Sequence, residues 1–411
     1  MADQAVSSLA NAALSIVVAR TVSPTEYGAF ALAFSVYTLA VAVSQAVSGQ
    51  VVMIRYSAAT GAERTRVAAA AAGTSVVLGL VSAVLVAAVA LPLGLPLNQV
   101  LLATGVLLPA LMLQDTWRTV FVSRGEPKQA FANDLLWTVL QAVLISVLLL
   151  LSVGQAYWYV LAWGASAAVA AAWGVRQARA VPALGATRAF VVDHRDVAVP
   201  SVANAVAILG ATQVAFVAMA AVASVETVGA IRAAQTLLGP LNIVGFALSS
   251  FAVPEIVRHD LSRRGHTVVA LVLSGVLVVV DLAWGAVLLL LPDPVGEQLL
   301  GETWGAAREA LPGLVAFTAC IGATVGATAV MRALARASYA FWVSAMLGPL
   351  VIVLSVLGAW RYAETGAAWG LATAAALSIV PAWWLLLRAA RLGRAPMPTT
   401  STPTTSAPTT S

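Results

Sequence analysis

The sequence predicts an all-α polytopic membrane protein with about twelve transmembrane helices arranged in two six-helix lobes. Composition is the first indication, because 61% of the 411 residues are hydrophobic and only 9% are charged. Soluble domains average roughly 45–50% apolar and about 25% charged residues, so this composition excludes soluble enzymes and nucleic-acid-binding domains. The spacing of the apolar runs and a motif that occurs twice along the chain are the other two indications.

Apolar runs follow one another along almost the whole chain, and most have the length of about 20 residues that crosses a bilayer as a helix. The first run is short and is interrupted by Ser7, Ser8, Asn11 and Ser15. The fifth and sixth are separated only by a Gly-Gln pair, which predicts a tight helical hairpin. We expect spans at 5–21, 28–53, 67–91, 99–123, 132–153, 156–175, 199–222, 229–253, 267–291, 309–331, 342–360 and 366–387.

The positions of the basic residues predict the orientation in the membrane. Most of the 22 Lys and Arg residues lie in alternate loops and near the C-terminal end, whereas Arg20, Arg308 and Arg361 lie on the other side of the predicted spans. Cytoplasmic loops of membrane proteins carry an excess of Lys and Arg. We therefore expect both termini to be cytoplasmic, and we call the cytoplasmic ends of the helices inner and the opposite ends outer.

A pattern near the start of the chain returns in its second half. Residues 8–12 (SLANA) match 201–205 (SVANA), and residues 23–29 (SPTEYGA) match 224–230 (SVETVGA). Both copies begin on the inner side, which predicts parallel repeats related by an axis along the membrane normal, with a central cavity between two lobes. The alternative is a chance likeness between alanine-rich helices.

The repeat and the loops predict four regions. We expect an N-terminal lobe at 1–178, a basic cytoplasmic linker at 179–198 and a C-terminal lobe at 199–390. Residues 391–411 consist mostly of Thr, Ser, Pro and Ala, which cannot bury a core, so this tail is expected to be disordered.

Several short segments carry a resemblance to a known family. They are Arg20 followed by 23–33 (SPTEYGAFALA), 54–56 (IRY), 114–118 (QDTWR), 124–125 (RG), 133–137 (NDLLW), 226–230 (ETVGA) and 251–255 (FAVPE). In this pattern the chain resembles the bacterial polysaccharide transporter (Wzx-type flippase) branch of the multidrug/oligosaccharidyl-lipid/polysaccharide (MOP) exporter superfamily. The resemblance covers nearly the whole chain except the tail, and it departs from the family in a short N-terminus.

The resemblance implies a MATE/MOP-like fold and a secondary transporter rather than an enzyme. It implies flipping of an undecaprenyl-linked oligosaccharide from the inner to the outer leaflet of the bacterial cytoplasmic membrane, for polysaccharide export. The partners expected are the lipid-linked glycan, membrane lipids and other polysaccharide-assembly membrane proteins, and not nucleic acid. The sequence has no Gly-rich phosphate loop, no HExxH motif and no Cys/His cluster, so no cofactor and no metal are expected.

Two other functions stay open at this point. A cation-coupled drug or metabolite antiporter of the same superfamily is favoured by a cavity that carries only acids. A membrane-embedded glycan ligase, polymerase or acyltransferase needs a reactive constellation, usually on a sizeable outer loop. The longest predicted outer loop, 292–308, has no histidine and no clear nucleophile–base pair.

Arginines within the spans are candidate substrate-binding residues, because burying an ionised side chain at the bilayer centre costs at least about 2.5–3.5 kcal/mol. Arg232 lies one turn into span eight, and Arg20, its predicted counterpart in the other lobe, lies near the outer end of span one. A guanidinium binds phosphate oxygens bidentately, which suits an anionic lipid-linked substrate. Snorkelling to the headgroups is the alternative for both residues. Arg118 is a third candidate, with an ion pair to Asp115 on the same helix face as its alternative.

Three aspartates within the spans are candidates for ion coupling. Asp281 lies in the middle of span nine with no neutralising neighbour in sequence, and a buried carboxyl of this kind can exchange protons. Asp115 can act with Arg118 in gating. Asp134 opens span five, where an acid also complements the helix dipole. The histidines are expected to be solvated loop residues; they are His194, His259 and His266.

Overall fold

The chain is almost entirely helical. Its structure, a computed structural model, describes residues 2–241, 244–245, 248, 256, 262–334 and 336–392, and no strand occurs in these ranges. The long helices are α1 (Ala2–Thr21), α2 (Pro24–Arg55), α3 (Gly61–Ala90), α4 (Leu97–Ser123), α5 (Pro127–Leu150), α6 (Ala156–Ala178), α7 (195–222), α8 (Val225–Leu237), α9 (Arg263–Leu289), α10 (Trp304–Ala333), α11 (337–361) and α12 (364–392). Short helices between them are Leu184–Ala186, Thr187–Asp193, Asp293–Leu300 and Gly301–Thr303.

Eight stretches of the described residues are long and apolar enough to cross a membrane. The last of them, Ser338–Leu392, contains both α11 and α12, because the helical backbone breaks at Tyr362 and Ala363. α1 and α7 contain shorter apolar helices, Ala10–Thr21 and Ala211–Val222, and most of the chain from 242 to 261, after α8, lies outside the described residues. The all-α, multi-pass architecture expected from the sequence is confirmed.

The two copies of the repeated motif begin α2 and α8 in the same way. Ser23 and Ser224 are N-cap residues in extended backbone conformation. Their hydroxyl oxygens accept hydrogen bonds from the backbone N–H groups of Glu26 and Thr227, at 3.4 and 3.1 Å. A serine N-cap satisfies an N–H group that has no partner within the helix, which explains why each copy of the motif marks a helix start.

Each half of the chain is organised around one central helix. In the first half α4 packs against α2, α3 and α6, and in the second half α10 packs against α9 and against the α11–α12 pair. Small residues permit these close approaches, since a Cβ atom on Gly174 of α6 would lie 2.7 Å from Cγ of Trp117 on α4. The halves meet where α2 packs against α8 and where the inner part of α7 packs against α2.

Two of the interlobe helices contain an irregular turn that the sequence does not predict. α2 has a π-helical turn at Gln45–Gly49, and α7 has one at Val206–Gly210. The inner part of α7 lies against the π-helical turn of α2. Such turns are rare and occur frequently at functional sites.

The predicted linker is largely ordered. Helix Thr187–Asp193 buries Phe190 against the inner end of the first lobe. The expectation that His194 is a solvated loop residue is wrong, because only 8% of its surface is exposed. Its Nε2 atom lies 2.7 Å from the Tyr56 hydroxyl, and its Nδ1 atom lies 2.7 Å from the carbonyl oxygen of Phe190.

The ends of the predicted regions differ slightly from the helix ends. α7 begins at Arg195, inside the predicted linker, and α12 extends to Leu392, just beyond the predicted lobe. The rest of the predicted tail lies outside the described residues, as do segment 251–255 and His259.

Candidate functional site

The outer ends of α2 and α8 meet at two glycines that occupy the same position in the repeated motif. A Cβ atom on Gly229 would lie 3.0 Å from Cα of Gly28, and one on Gly28 would lie 2.6 Å from the carbonyl carbon of Val225. Small residues let helix backbones approach this closely. Glycine at both positions is therefore what allows the two lobes to touch here.

A hydrogen bond lies beside the glycines. Thr25 Oγ1 donates to Glu226 Oε1 at 2.6 Å, and these two residues also match in the motif alignment. Glu226 precedes the predicted span 229–253, and the Thr25 hydroxyl holds the pKa of its carboxyl below the ordinary value. We call Thr25, Gly28, Glu226 and Gly229 the outer contact.

A cavity of about 140 Å³ lies between α1, α2 and α8, on the inner side of the outer contact. Hydroxyl groups connect its walls, because Ser15 Oγ lies 2.7 Å from the Tyr27 hydroxyl and 3.1 Å from Thr236 Oγ1. Among the described residues that line the cavity, the charged one is Arg232. Its other polar and aromatic lining residues are Asn11, Ser15, Thr236, Tyr27, Phe30 and Phe34.

Arg232 contacts both lobes at once. Its Nη2 atom donates to Ser35 Oγ of α2 at 2.9 Å and to Gln213 Oε1 of α7 at 3.3 Å. Its guanidinium carbon lies 4.6 Å from the ring centroid of Phe216 on α7 and 5.8 Å from that of Phe34 on α2. Aromatic faces attract a cation, so these rings help to hold the guanidinium at the lobe interface.

The positive charge of Arg232 is not neutralised by a carboxylate in the part of the chain that the structure describes. Within the same residues its Nε atom is buried and has no hydrogen-bond partner. A cation without a counter-charge is costly inside a membrane. An anion that enters the cavity would supply the missing charge, which makes Arg232 a candidate anion-binding residue.

The structure does not bring the other two predicted arginines to this cavity. Arg20 is exposed at the outer end of α1, where its backbone packs against Gly301. Arg118 donates through Nη2 to Asp115 Oδ1 at 2.8 Å, within the first lobe. The ion pair that the sequence offered as an alternative for Arg118 is therefore present.

Asp115 and Asp134 lie in a buried polar cluster of the first lobe. Asp115 also accepts a hydrogen bond from Gln45 Nε2 in the π-helical turn of α2, and Gln45 donates to Thr119 Oγ1 at 2.8 Å. Asp134 accepts from Gln114 Nε2 at 2.6 Å. Donors of this kind stabilise the ionised form of a carboxyl group. Asp281 lies apart from them, in the second lobe on the interface between α9 and α10.

Sequence reasoning missed the residues that hold Arg232. When the motif alignment is extended along α2 and α8, Ser35 pairs with Thr236. This pair of hydroxyl residues at matching positions is a sequence pattern that points to polar groups at the cavity. No comparable pattern marks Gln213 or Phe216, because α7 reaches Arg232 only through the tertiary fold.

No family model and no curated protein matches the chain. Solved structures of similar fold do match. An inward-facing multidrug-resistance MATE transporter of the MOP superfamily is 15% identical at a TM-score of 0.73, with 94% of this chain and 95% of that chain covered. The lipid II flippase MurJ in an inward closed conformation is 12% identical at a TM-score of 0.73, with 95% and 89% covered. An outward-facing MATE transporter of the MOP superfamily is 16% identical at a TM-score of 0.57, with 95% and 93% covered.

At sequence identities this low, the structural similarity establishes the fold and nothing more. The chain therefore has the MATE/MOP-type fold of a multi-pass membrane protein, as the sequence resemblance implied. The similar structures named above belong to MATE transporters of the MOP superfamily and to a lipid II flippase. The Wzx-type branch stays a prediction.

Proposed function

We propose that the protein is a secondary transporter that flips an undecaprenyl-linked oligosaccharide from the inner to the outer leaflet of the bacterial cytoplasmic membrane, for polysaccharide export. The observation that carries the proposal is Arg232, which lies at the interlobe cavity without a carboxylate partner among the described residues. A guanidinium in this setting suits the phosphate groups of a lipid-linked glycan, because its planar fork binds phosphate oxygens.

The remaining cavity lining supports a substrate that combines an anion with sugar and hydrocarbon. Tyr27, Phe30 and Phe34 offer aromatic faces, and the Ser15 and Thr236 hydroxyls offer hydrogen-bonding groups. Sites with apolar and aromatic walls and a few placed polar groups are typical of pockets that bind organic ligands.

The outer contact supports a transport cycle in which the lobes separate. In this structure Gly28 and Gly229 hold the outer ends of α2 and α8 together, so the cavity is covered on that side. The higher TM-score to the inward-facing MATE structure than to the outward-facing one agrees with this assignment. Separation at the outer contact would also move Ser35 away from Gln213 and thereby change the surroundings of Arg232 during the cycle.

The main rival is a cation-coupled drug or metabolite antiporter. A cavity built for cationic drugs would be expected to present carboxylates, whereas the charged residue among the described residues that line this cavity is an arginine. Arg232→Glu distinguishes the two functions, because it would repel an anionic substrate and attract a cationic one.

The experiment is a flipping assay in proteoliposomes with a fluorescent undecaprenyl-diphosphate-linked glycan, normalised to inserted protein. We expect Arg232→Ala to lower the flipping rate strongly. Arg232→Lys should restore part of the rate, because lysine keeps the charge but lacks the planar fork. Arg232→Glu should be slower than Arg232→Ala, because a carboxylate repels an anionic substrate. Arg20→Ala should have a smaller effect, since Arg20 lies outside the cavity lining. Arg361→Ala, on the outer side beside Tyr362, is the matched control and should flip at the wild-type rate.

Two results would contradict the proposal. Equal flipping by the alanine and glutamate variants would mean that the charge at position 232 does not act on the substrate. Transport of cationic drugs by the wild type, with no flipping of the glycan lipid, would favour the antiporter.

A further inference from the structure

We infer that Asp281 is the site at which this transporter binds and releases a proton in each cycle; the inference rests on the proposed transport function. Three carboxyl groups lie within the spans as candidates, and the sequence alone does not choose between Asp115, Asp134 and Asp281. Their surroundings in the structure do distinguish them.

Two of these carboxyl groups are held by donors. Asp115 receives hydrogen bonds from Arg118 and Gln45, and Asp134 receives one from Gln114. Donors and a neighbouring guanidinium favour the ionised carboxylate. Both groups already have protein partners, which suits them to hold the first lobe together.

Asp281 has the opposite surroundings. Its side chain lies on the buried face of α9 with only 5% of its surface exposed. Its Oδ2 atom points at Gly322 of α10, where a Cβ atom would lie 2.6 Å from it, so glycine makes the space for the carboxyl group. No hydrogen bond and no ion pair to Asp281 is found in residues 2–241, 262–334 and 336–392.

A carboxyl group in this position needs a proton to be buried at low cost. An isolated carboxylate is expensive within a membrane, whereas a protonated carboxyl group is neutral. Along α10 the titratable residue closest in sequence to Gly322 is Cys320. Apart from Asp281, the charged residues of α9, α10, α11 and α12 in the described ranges lie near the helix ends. No basic residue of those helices therefore competes with the proton for Asp281.

The surroundings favour a proton over a metal cation as the ligand. Hard cations take about six or more oxygen ligands in proteins. No group of three or more Asp, Glu, His or Cys residues able to hold a metal occurs among the described residues. One carboxyl group against a glycine can exchange a proton without further ligands.

The position of Asp281 connects it to the cavity wall. α9 packs along α10, and α10 in turn packs against α8, which carries Arg232. Ionisation of Asp281 disfavours the closed α9–α10 interface, because the charge then requires water or a donor. Protonation and the arrangement of α10 are coupled in this way, and a ligand that binds two conformations differently shifts the balance between them.

Chemical labelling tests the protonation of Asp281 without relying on transport. Dicyclohexylcarbodiimide reacts with protonated carboxyl groups in apolar surroundings, and peptide mass spectrometry locates the adduct. We expect labelling of Asp281 in membranes that falls as the pH rises. Labelling of Asp115 or Asp134 instead of Asp281, or labelling of Asp281 that is equal from acid to alkaline pH, would overturn the inference.

Reconstituted Asp281→Asn tests the coupling, because asparagine has nearly the same shape as the protonated acid but cannot release a proton. With one proton exchanged per glycan lipid, a gradient of one pH unit shifts the wild-type steady-state leaflet ratio roughly tenfold. We expect Asp281→Asn to flip with no such shift, and Asp193→Asn, an exposed acid of the linker, to behave as wild type. If Asp281→Asn does not insert, Gly322→Ala displaces the carboxyl group and should reduce the shift.

The outcomes separate the two proposals. A wild-type protein that flips no glycan lipid contradicts the proposed function. A wild-type protein that flips but ignores the pH gradient, or an Asp281→Asn variant that responds to it as the wild type does, overturns the role of Asp281 and leaves the flippase proposal standing.

Discussion

Replacement of Gly28 with alanine is expected to open the outer contact. The added methyl group would lie 2.6 Å from the carbonyl carbon of Val225 and 2.8 Å from its Cγ1 atom. The backbone atom cannot move aside as a flexible side chain can, so the outer ends of α2 and α8 would have to separate by nearly an ångström.

The size of the effect follows from this overlap. Forcing an extra methyl group into a packed interface costs typically about 1–3 kcal/mol. The cost falls on the conformation in which the lobes touch, because the glycine is not covered by α8 once they separate. A bias of this size shifts the balance between two conformations by roughly 5- to 150-fold.

The assay is the rate at which a membrane-impermeant thiol reagent, added outside, labels Ala12→Cys in a Cys320→Ala background. Ala12 lines the cavity, so its cysteine is reached from outside only when the outer contact opens. We expect Gly28→Ala to raise the labelling rate by a factor within the range given above. Gly305→Ala, at the outer start of α10, is the matched control, because its Cβ atom would meet nothing within 4 Å.

An unchanged labelling rate in folded Gly28→Ala protein would refute the reasoning. It would mean that the closeness of the two glycines does not limit access to the cavity. An equal increase in Gly305→Ala would show that added methyl groups loosen the outer side in general, without a special role for the outer contact.

Three further results are expected. Asp115→Ala removes the carboxylate that accepts hydrogen bonds from Arg118 and Gln45, and it should lower the free energy of unfolding by about 1–3 kcal/mol, visible as a lower melting temperature in detergent, whereas Asp115→Asn should lose less. An impermeant thiol reagent on intact cells should label Pro294→Cys but not Ser57→Cys, and labelling of Ser57→Cys would reverse the orientation. The pKa of Glu226 is lowered in the closed conformation, so the outer contact should weaken as the outer pH falls through that pKa. Labelling of the cavity cysteine at position 12 should therefore speed up at low outer pH, and Glu226→Gln should abolish this pH dependence.

The sequence is informative wherever the physics is local. Apolar runs long enough to cross a bilayer predict the spans, and the repeated motif marks the helix starts because Ser23 and Ser224 are N-caps. The same alignment pairs Gly28 with Gly229, the residues that meet at the outer contact. The position of Arg232 within a predicted span also marks it as a candidate from the sequence alone.

What the sequence does not predict depends on partners that are distant along the chain. The burial of His194 comes from Tyr56 and Phe190, and the placement of Arg232 comes from α7. The difference between Asp115 and Asp281 comes from Gln45, which reaches Asp115 from another helix. These contacts have no signature in local composition, which is why Arg20 and Arg232 look alike in the sequence but occupy different surroundings.

The most direct test of flipping is the leaflet distribution of the undecaprenyl-linked glycan in cells depleted of this protein. Synthesis on the cytoplasmic side should continue, and the glycan lipid should accumulate in the inner leaflet, where outer-surface enzymes and probes do not reach it. Re-expression of the wild type should restore its outer-leaflet pool, and Arg232→Glu should not. Glycan lipid that still reaches the outer leaflet in depleted cells, without being polymerised or ligated, would contradict a flippase and favour a membrane enzyme.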